Sequence, residues 1–179
     1  MITMGLRAEG KCGMKNEKGF SLAELILVIA IMAILMTMSM LSYQTLQTRY
    51  NVEQKVKKMY TDLMNARVRA MQRGRDHFVS MTAGATVYSI YEDGPAPDGD
   101  SAFSTANDTL VITQSVAPYT LVLSTGTMTL VQFNSKGLVT GTTGWIKIDS
   151  SSVGEYNCIF IDQIKTGMGK INGANCDIK

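Results

Sequence analysis

The chain has 179 residues, with 17 Lys+Arg against 15 Asp+Glu for a formal charge of +2, and 45% of it is hydrophobic. Its 16 Gly, 3 Pro and 3 Cys follow no period, which excludes a disordered chain, a collagen-like repeat and a disulfide-dense miniprotein. The length suits one domain plus an appendage, and Phe20 to Leu41 is an apolar block with a single charge, Glu24, which argues against a purely cytosolic soluble protein.

Residues 1 to 19 carry four basic and two acidic side chains. The block that follows would reach roughly 33 Å as a helix at about 1.5 Å per residue, close to the hydrocarbon thickness of a bilayer. Lys11, Lys15 and Lys18 precede it and no charge follows it until Arg49, so the positive-inside rule keeps the N-terminus cytoplasmic and places everything beyond about Leu41 outside. A cleaved secretory signal fits poorly, because its apolar region runs about 7 to 15 residues and ends in a small-residue site. A plain anchor explains the hydrophobicity but not Glu24, whose burial as an ion costs several kcal/mol unless it is paired.

Lys18-Gly19-Phe20-Ser21-Leu22-Ala23-Glu24, followed at once by the apolar run, resembles the processing site of type IV pilins and pseudopilins. The resemblance implies that a membrane-embedded prepilin peptidase cuts between Gly19 and Phe20 on the cytoplasmic side and methylates the new N-terminus at Phe20. It also implies that Glu24 meets the N-terminal amine of a neighbouring subunit during assembly. The residue chemistry agrees: Gly19 has no side chain to obstruct a close-fitting site, and the cut leaves an amine one helical turn from Glu24. Pairing would offset the desolvation of both charges and set an axial register. Met14 to Gly19 alone has the length of a short pilin leader, so a start at Met14, leaving residues 1 to 13 and Cys12 untranslated, is a second possibility.

Beyond the block, Val52, Val56, Met59, Leu63, Ala66 and Ala70 fall on one helical face. Arg49, Lys55, Lys57, Lys58 and Arg69 fall on the other, and no proline occurs before Pro95, so one helix is expected from Phe20 to about Arg73, stopped by Gly74. Its length would be on the order of 80 Å. The expected organisation is a leader at 1–19, a membrane and filament-core helix half at 20–41, an amphipathic half at 42–75 and a β-rich head at 76–179. Residues 42 to 75 hold eight basic and two acidic side chains, and the head five basic and ten acidic. Removal of the leader would leave a neutral protein, so the basic stretch reads as a solvated helix face; phosphate binding by the head would need accumulated Lys and Arg.

From His77 the pattern changes to short β-branched and aromatic runs. Strands are predicted at His77 to Met81, Thr86 to Tyr91, Thr109 to Gln114, Tyr119 to Ser124, Met128 to Asn134, Trp145 to Asp149 and Asn157 to Asp162, with another near Lys170. Turns fit Ser124-Thr125-Gly126-Thr127 and Asn134-Ser135-Lys136-Gly137. The fold class is therefore α+β: a long helix packed on two antiparallel sheets in a sandwich-like head. Trp145 is expected in the core.

Val131-Gln132-Phe133-Asn134-Ser135-Lys136-Gly137-Leu138-Val139-Thr140, then Gly144 to Ile148, Cys158 to Ile161 and Gly169-Lys170-Ile171, is similar to the GspH/FimT subgroup of minor pseudopilins and minor pilins. DNA-binding members of that subgroup carry Gly-Arg-x-Arg where this chain has Gly169-Lys170-Ile171-Asn172, so Lys170 is only a weak DNA-contact candidate. With Cys12 in the leader, Cys158 and Cys176 remain as an even pair in an extracytoplasmic head, and a disulfide between them is expected. The acid-, proline- and glycine-rich loop from Glu92 to Ser101 invites comparison with a calcium loop but lacks the ligand order of an EF-hand. His77, the single histidine, has no nucleophile motif around it, and no catalytic residues, metal site or cofactor are assigned. The resemblance implies a minor pilin or pseudopilin that initiates or caps a type IV pilus or type II secretion pseudopilus, with DNA uptake as the alternative. Its implied partners are prepilin peptidase, other major and minor pilins or pseudopilins, the inner membrane and a secreted substrate.

Overall fold

The structure is a computed structural model that describes residues 19–95, 99–125, 128–150 and 154–179, with the backbone alone for 38–42. The lysines expected to orient the chain (Lys11, Lys15, Lys18), the second start at Met14, the tip of the acidic loop at 96–98 and the Gly126-Thr127 half of one expected turn lie outside the described residues. The described residues before Ser42 belong to one unit and those of Ser42–Lys179 to another.

One helix, α1 (Leu22–Arg73), runs for 52 residues. No glycine or proline interrupts it, so every peptide N–H past the first turn can find its carbonyl four residues back. It stops at Gly74, which has φ +67° and whose N–H donates to Ala70 O at 3.0 Å. That left-handed conformation is cheap only for glycine, and it satisfies a carbonyl the helix end would otherwise leave bare.

Ten strands follow: β1 (His77–Met81), β2 (Val87–Glu92), β3 (Thr109–Ser115), β4 (Thr120–Leu123), β5 (Leu130–Phe133), β6 (Val139–Thr140), β7 (Gly144–Asp149), β8 (Cys158–Ile161), β9 (Thr166–Asn172) and β10 (Asn175–Ile178). They form two antiparallel sheets, ordered β3-β2-β1-β5-β6 and β10-β9-β8-β7-β4. The α+β class expected from the sequence is the one observed. The six apolar helix positions from Val52 to Ala70 are all buried, in one cluster with Val79, Tyr88, Val131 and Phe133 of the first sheet and Leu121, Ile146, Ile148 and Ile161 of the second. Each sheet alternates: in β5 Val131 and Phe133 point inward, and in β7 Ile146 and Ile148 do.

Three strands exceed or refine the expectation. β6 has two residues, β9 carries Gly167 and Gly169, which blank out its alternation, and β10 is mostly polar. Trp145 is corrected: the inward positions of β7 belong to Ile146 and Ile148, so period two turns Trp145 outward. It is half-buried there, and its indole N–H donates to Ala174 O at 2.9 Å. The expected turn at Asn134 joins β5 to β6; Gly137 N donates to Asn134 O, and Asn134 Oδ1 accepts from Lys136 N and Leu138 N.

Candidate processing and assembly site

Gly19, Phe20 and Ser21 precede α1 outside any helix or strand. Ser21 O accepts the N–H groups of Glu24 at 3.0 Å and Leu25 at 3.1 Å, which makes Ser21 the capping residue and Glu24 the third residue of the helix. Ser-x-x-Glu is the residue order of a capping box, and a carboxylate in the first turn suits the positive end of the helix dipole. Open space surrounds Gly19 where a Cβ would stand, and Phe20 is 86% exposed. A protease can thus reach the Gly19-Phe20 bond without unfolding any regular structure. Among the described residues no cation pairs with Glu24.

The helix beyond this start is bare. Ala23, Ile26, Leu27, Ala30, Ile31 and Ile34 recur at helical spacing and line a shallow apolar groove of about 560 Å³. Leu22, Leu25, Ile29, Met32 and Leu35 are exposed on the other sides. An apolar surface that encircles a helix is far beyond what a soluble monomer leaves in water. Among the described residues no helix is long and apolar enough to cross a membrane. The described apolar side chains run from Leu22 to Met36, short of the roughly 20 residues that a span takes.

The head holds the other residues singled out by sequence. Cys158 on β8 and Cys176 on β10 are joined by a disulfide, with Cα atoms 6.1 Å apart. The bridge links the two strands that flank β9. Lys170 is exposed on β9 and pairs in register with Asp177 of β10. His77 is fully buried at the start of β1, its Nδ1 3.3 Å from Arg75 O, and burial lowers its pKa below the ordinary 6.5.

Sequence inspection missed two polar arrangements. Asp62, 5% exposed, lies three residues from Met59 on the buried side of α1, accepts from Lys58 Nζ at 2.7 Å and from Tyr88 Oη at 2.8 Å. Burial, then the Asp62 carboxylate, pushes the Tyr88 phenol well above its usual range. At the far end of α1, Arg73 pairs with Glu92, Gln132 Nε2 and Ser135 N donate to the Asp76 carboxylate, and Ser101 N donates to Asp93 Oδ2. Burial, helped by the carboxylates of Asp108, Asp76 and Asp100, raises the Asp93 pKa. Among the described residues no group of three or more His, Cys, Asp or Glu is placed to hold a metal ion.

Residues 14–40 match the family model described as the prokaryotic N-terminal methylation motif. This is the type IV pilin-like signal, and it brackets Gly19, Phe20, Glu24 and the bare apolar helix. Motif and helix together support a type IV pilin-like protein. No curated protein and no solved structure matches the chain.

Proposed function

We propose that the chain is a minor pilin or pseudopilin, a structural subunit that helps to initiate or cap a type IV pilus or a type II secretion pseudopilus. The observation that carries this reading is the methylation motif at 14–40 running straight into an exposed apolar helix. A prepilin peptidase removes residues 1–19 and methylates Phe20. Residues 20–41 hold the subunit in the inner membrane with its N-terminus cytoplasmic, residues 42–75 form the amphipathic stem, and the β-rich head is periplasmic. On assembly the same apolar surface passes from lipid to neighbouring helices, so little apolar area meets water at any stage. Glu24 guides the transfer: a carboxylate in that environment costs several kcal/mol unless a cation meets it, and the freed amine of an adjacent subunit supplies one. Other major and minor subunits are the partners, and the chemistry of assembly is association rather than catalysis.

The test is the intact mass of the protein purified from its native membrane. The expected species starts at Phe20, carries one methyl group and is two hydrogens short because Cys158 and Cys176 are bridged. Gly19→Val should leave the leader in place, and Glu24→Ala should be processed yet missing from sheared filaments. A native mass that retains residues before Phe20 overturns the proposal.

A further inference from the structure

Within the Ser42–Lys179 unit, a cleft of about 390 Å³ is lined by Leu46, Arg49, Tyr50, Glu53, Gly154, Glu155, Lys170 and Lys179. It lies where the first turns of the stem meet the segment leading into β8 and the hairpin of β9 and β10. A Cβ on Gly154 would stand 2.8 Å from Glu53 Cγ and 3.2 Å from Arg49 O, so a side chain there would have to displace Glu53 and crowd the helix backbone. The acids of the cleft are occupied. Glu53 Oε1 accepts from Glu155 N at 2.5 Å, Glu53 Oε2 is 3.7 Å from Lys57 Nζ, and Glu155 Oε1 is 3.3 Å from Lys179 Nζ. Two cations are left over: among the described residues Arg49 and Lys170 form no ion pair, and Asp177, opposite Lys170 in the strand register, accepts from Asn172 Nδ2 at 3.0 Å instead.

The helix face beside the cleft is of a different kind. Tyr43, Leu46 and Tyr50 follow one another at spacings of three and four, hence on one face, and each is more than 60% exposed. They come just after the apolar block: Tyr43 is two residues beyond Leu41 and Tyr50 nine, about 3 to 14 Å along a helix. Tyrosines with apolar bodies and wet hydroxyls gather at that depth of a bilayer, level with the head groups. Unspent cations at the same level attract lipid phosphate.

We propose that this cleft binds the phosphate head group of an anionic phospholipid, with Arg49 and Lys170 as the phosphate-binding cations and Tyr43, Leu46 and Tyr50 seated against the acyl boundary. The proposal rests on the membrane-held subunit proposed above. It gives Lys170 a role that needs no second basic residue on β9, since the other cation comes from the stem. It also selects which side of the Ser42–Lys179 unit is turned toward the bilayer surface, because the cleft must face the lipid.

The test uses the full chain in a neutral detergent, titrated with short-chain phosphatidylglycerol, phosphatidylcholine or inorganic phosphate and followed by native mass spectrometry. Phosphatidylglycerol should be retained in preference to phosphatidylcholine. The preference should fall on the order of fivefold for Arg49→Gln and again for Lys170→Gln, while Lys136→Gln, exposed elsewhere on the head, keeps it. Equal retention of the two lipids, or an undiminished preference in the double variant, overturns the proposal and leaves the membrane reading standing. Inorganic phosphate held as tightly as phosphatidylglycerol overturns lipid as the source of the phosphate. Release of the native protein by alkaline carbonate overturns the membrane reading itself and the proposal with it.

Discussion

Replacing Tyr88 by Phe removes one hydroxyl from the interface between the stem and the first sheet. That hydroxyl donates to Asp62 Oδ2 at 2.8 Å, and both side chains are nearly sealed from solvent, at 2% and 5% exposure. Lys58 cannot take over, because its ammonium already engages Oδ1 at 2.7 Å from the solvent side. The variant therefore strands half of a buried carboxylate, and a hydrogen bond to a charged acceptor is worth about 1.5 to 3 kcal/mol. For a unit of this size about 2 kcal/mol should lower Tm by roughly 6 °C. The assay is thermal unfolding of the full chain followed by Trp145, the single tryptophan, which reports on the head alone. Tyr88→Phe combined with Asp62→Leu should lose less than the sum of the two single variants, since the second change removes the group that the first one stranded. The raised phenol pKa adds a pH signature. A group whose folded pKa lies above its unfolded value of 10.0 stabilises at lower pH and loses that stabilisation as pH rises past 10, so the wild type should weaken above pH 10 more than Tyr88→Phe does. A Tyr88→Phe variant that melts within about 1 °C of the wild type would refute the assignment of that energy to this pair.

Three other outcomes are expected. Cys158→Ser opens a loop of 18 residues in sequence separation and should cost about 3 kcal/mol in the chain-entropy model; reductant should produce the same drop in the wild type and none in the variant. His77, kept neutral by burial, has a folded pKa below 6.5, so stability present above pH 6.5 should be lost as pH falls below it. Urea midpoints between pH 5 and 8 should show that slope, flattened in His77→Gln. Asp93 has the opposite shift: its folded pKa lies above 3.8, so its ionisation works against the fold at neutral pH. Asp93→Asn should raise Tm at pH 7, with the gain vanishing as pH approaches 3.8; a variant less stable than the wild type at pH 7 would contradict this.

The parts of the molecule that could be read from sequence are those whose signal is local. Val52 to Ala70 repeat with the period of one helix, and Gly74 follows the last of them, so both the buried face and the end of α1 could be placed to the residue. The methylation motif at 14–40 is equally legible, because its residues are linear neighbours. Strand β1 was predicted with its observed bounds, since His77 to Met81 is a compact run with turn residues on either side. Partnering was not legible. β4 leaves the first sheet for the second and β5 returns to pair with β1, and nothing in Thr120–Leu123 distinguishes one sheet from the other. β9 escaped clear definition because two glycines stand where inward side chains would mark it. Asp62 gives no sign in sequence of being buried, because Tyr88, which meets its carboxylate, stands 26 positions along the chain.

A pull applied along α1 would reach the head at the middle of a sheet. Three residues, Gly74 to Asp76, connect α1 to β1, and β1 is the middle strand of its sheet, bonded along one flank to β2 and along the other to β5. Tension drawn along the stem enters the head through a strand held on two sides, so two rows of hydrogen bonds must yield together. A stem joined to β3 or β6 at the sheet's margin would load a single row and peel it bond by bond. The Arg73–Glu92 pair spans the same joint and ties the last turn of the stem to β2. The head is thereby gripped from its centre rather than from its margin.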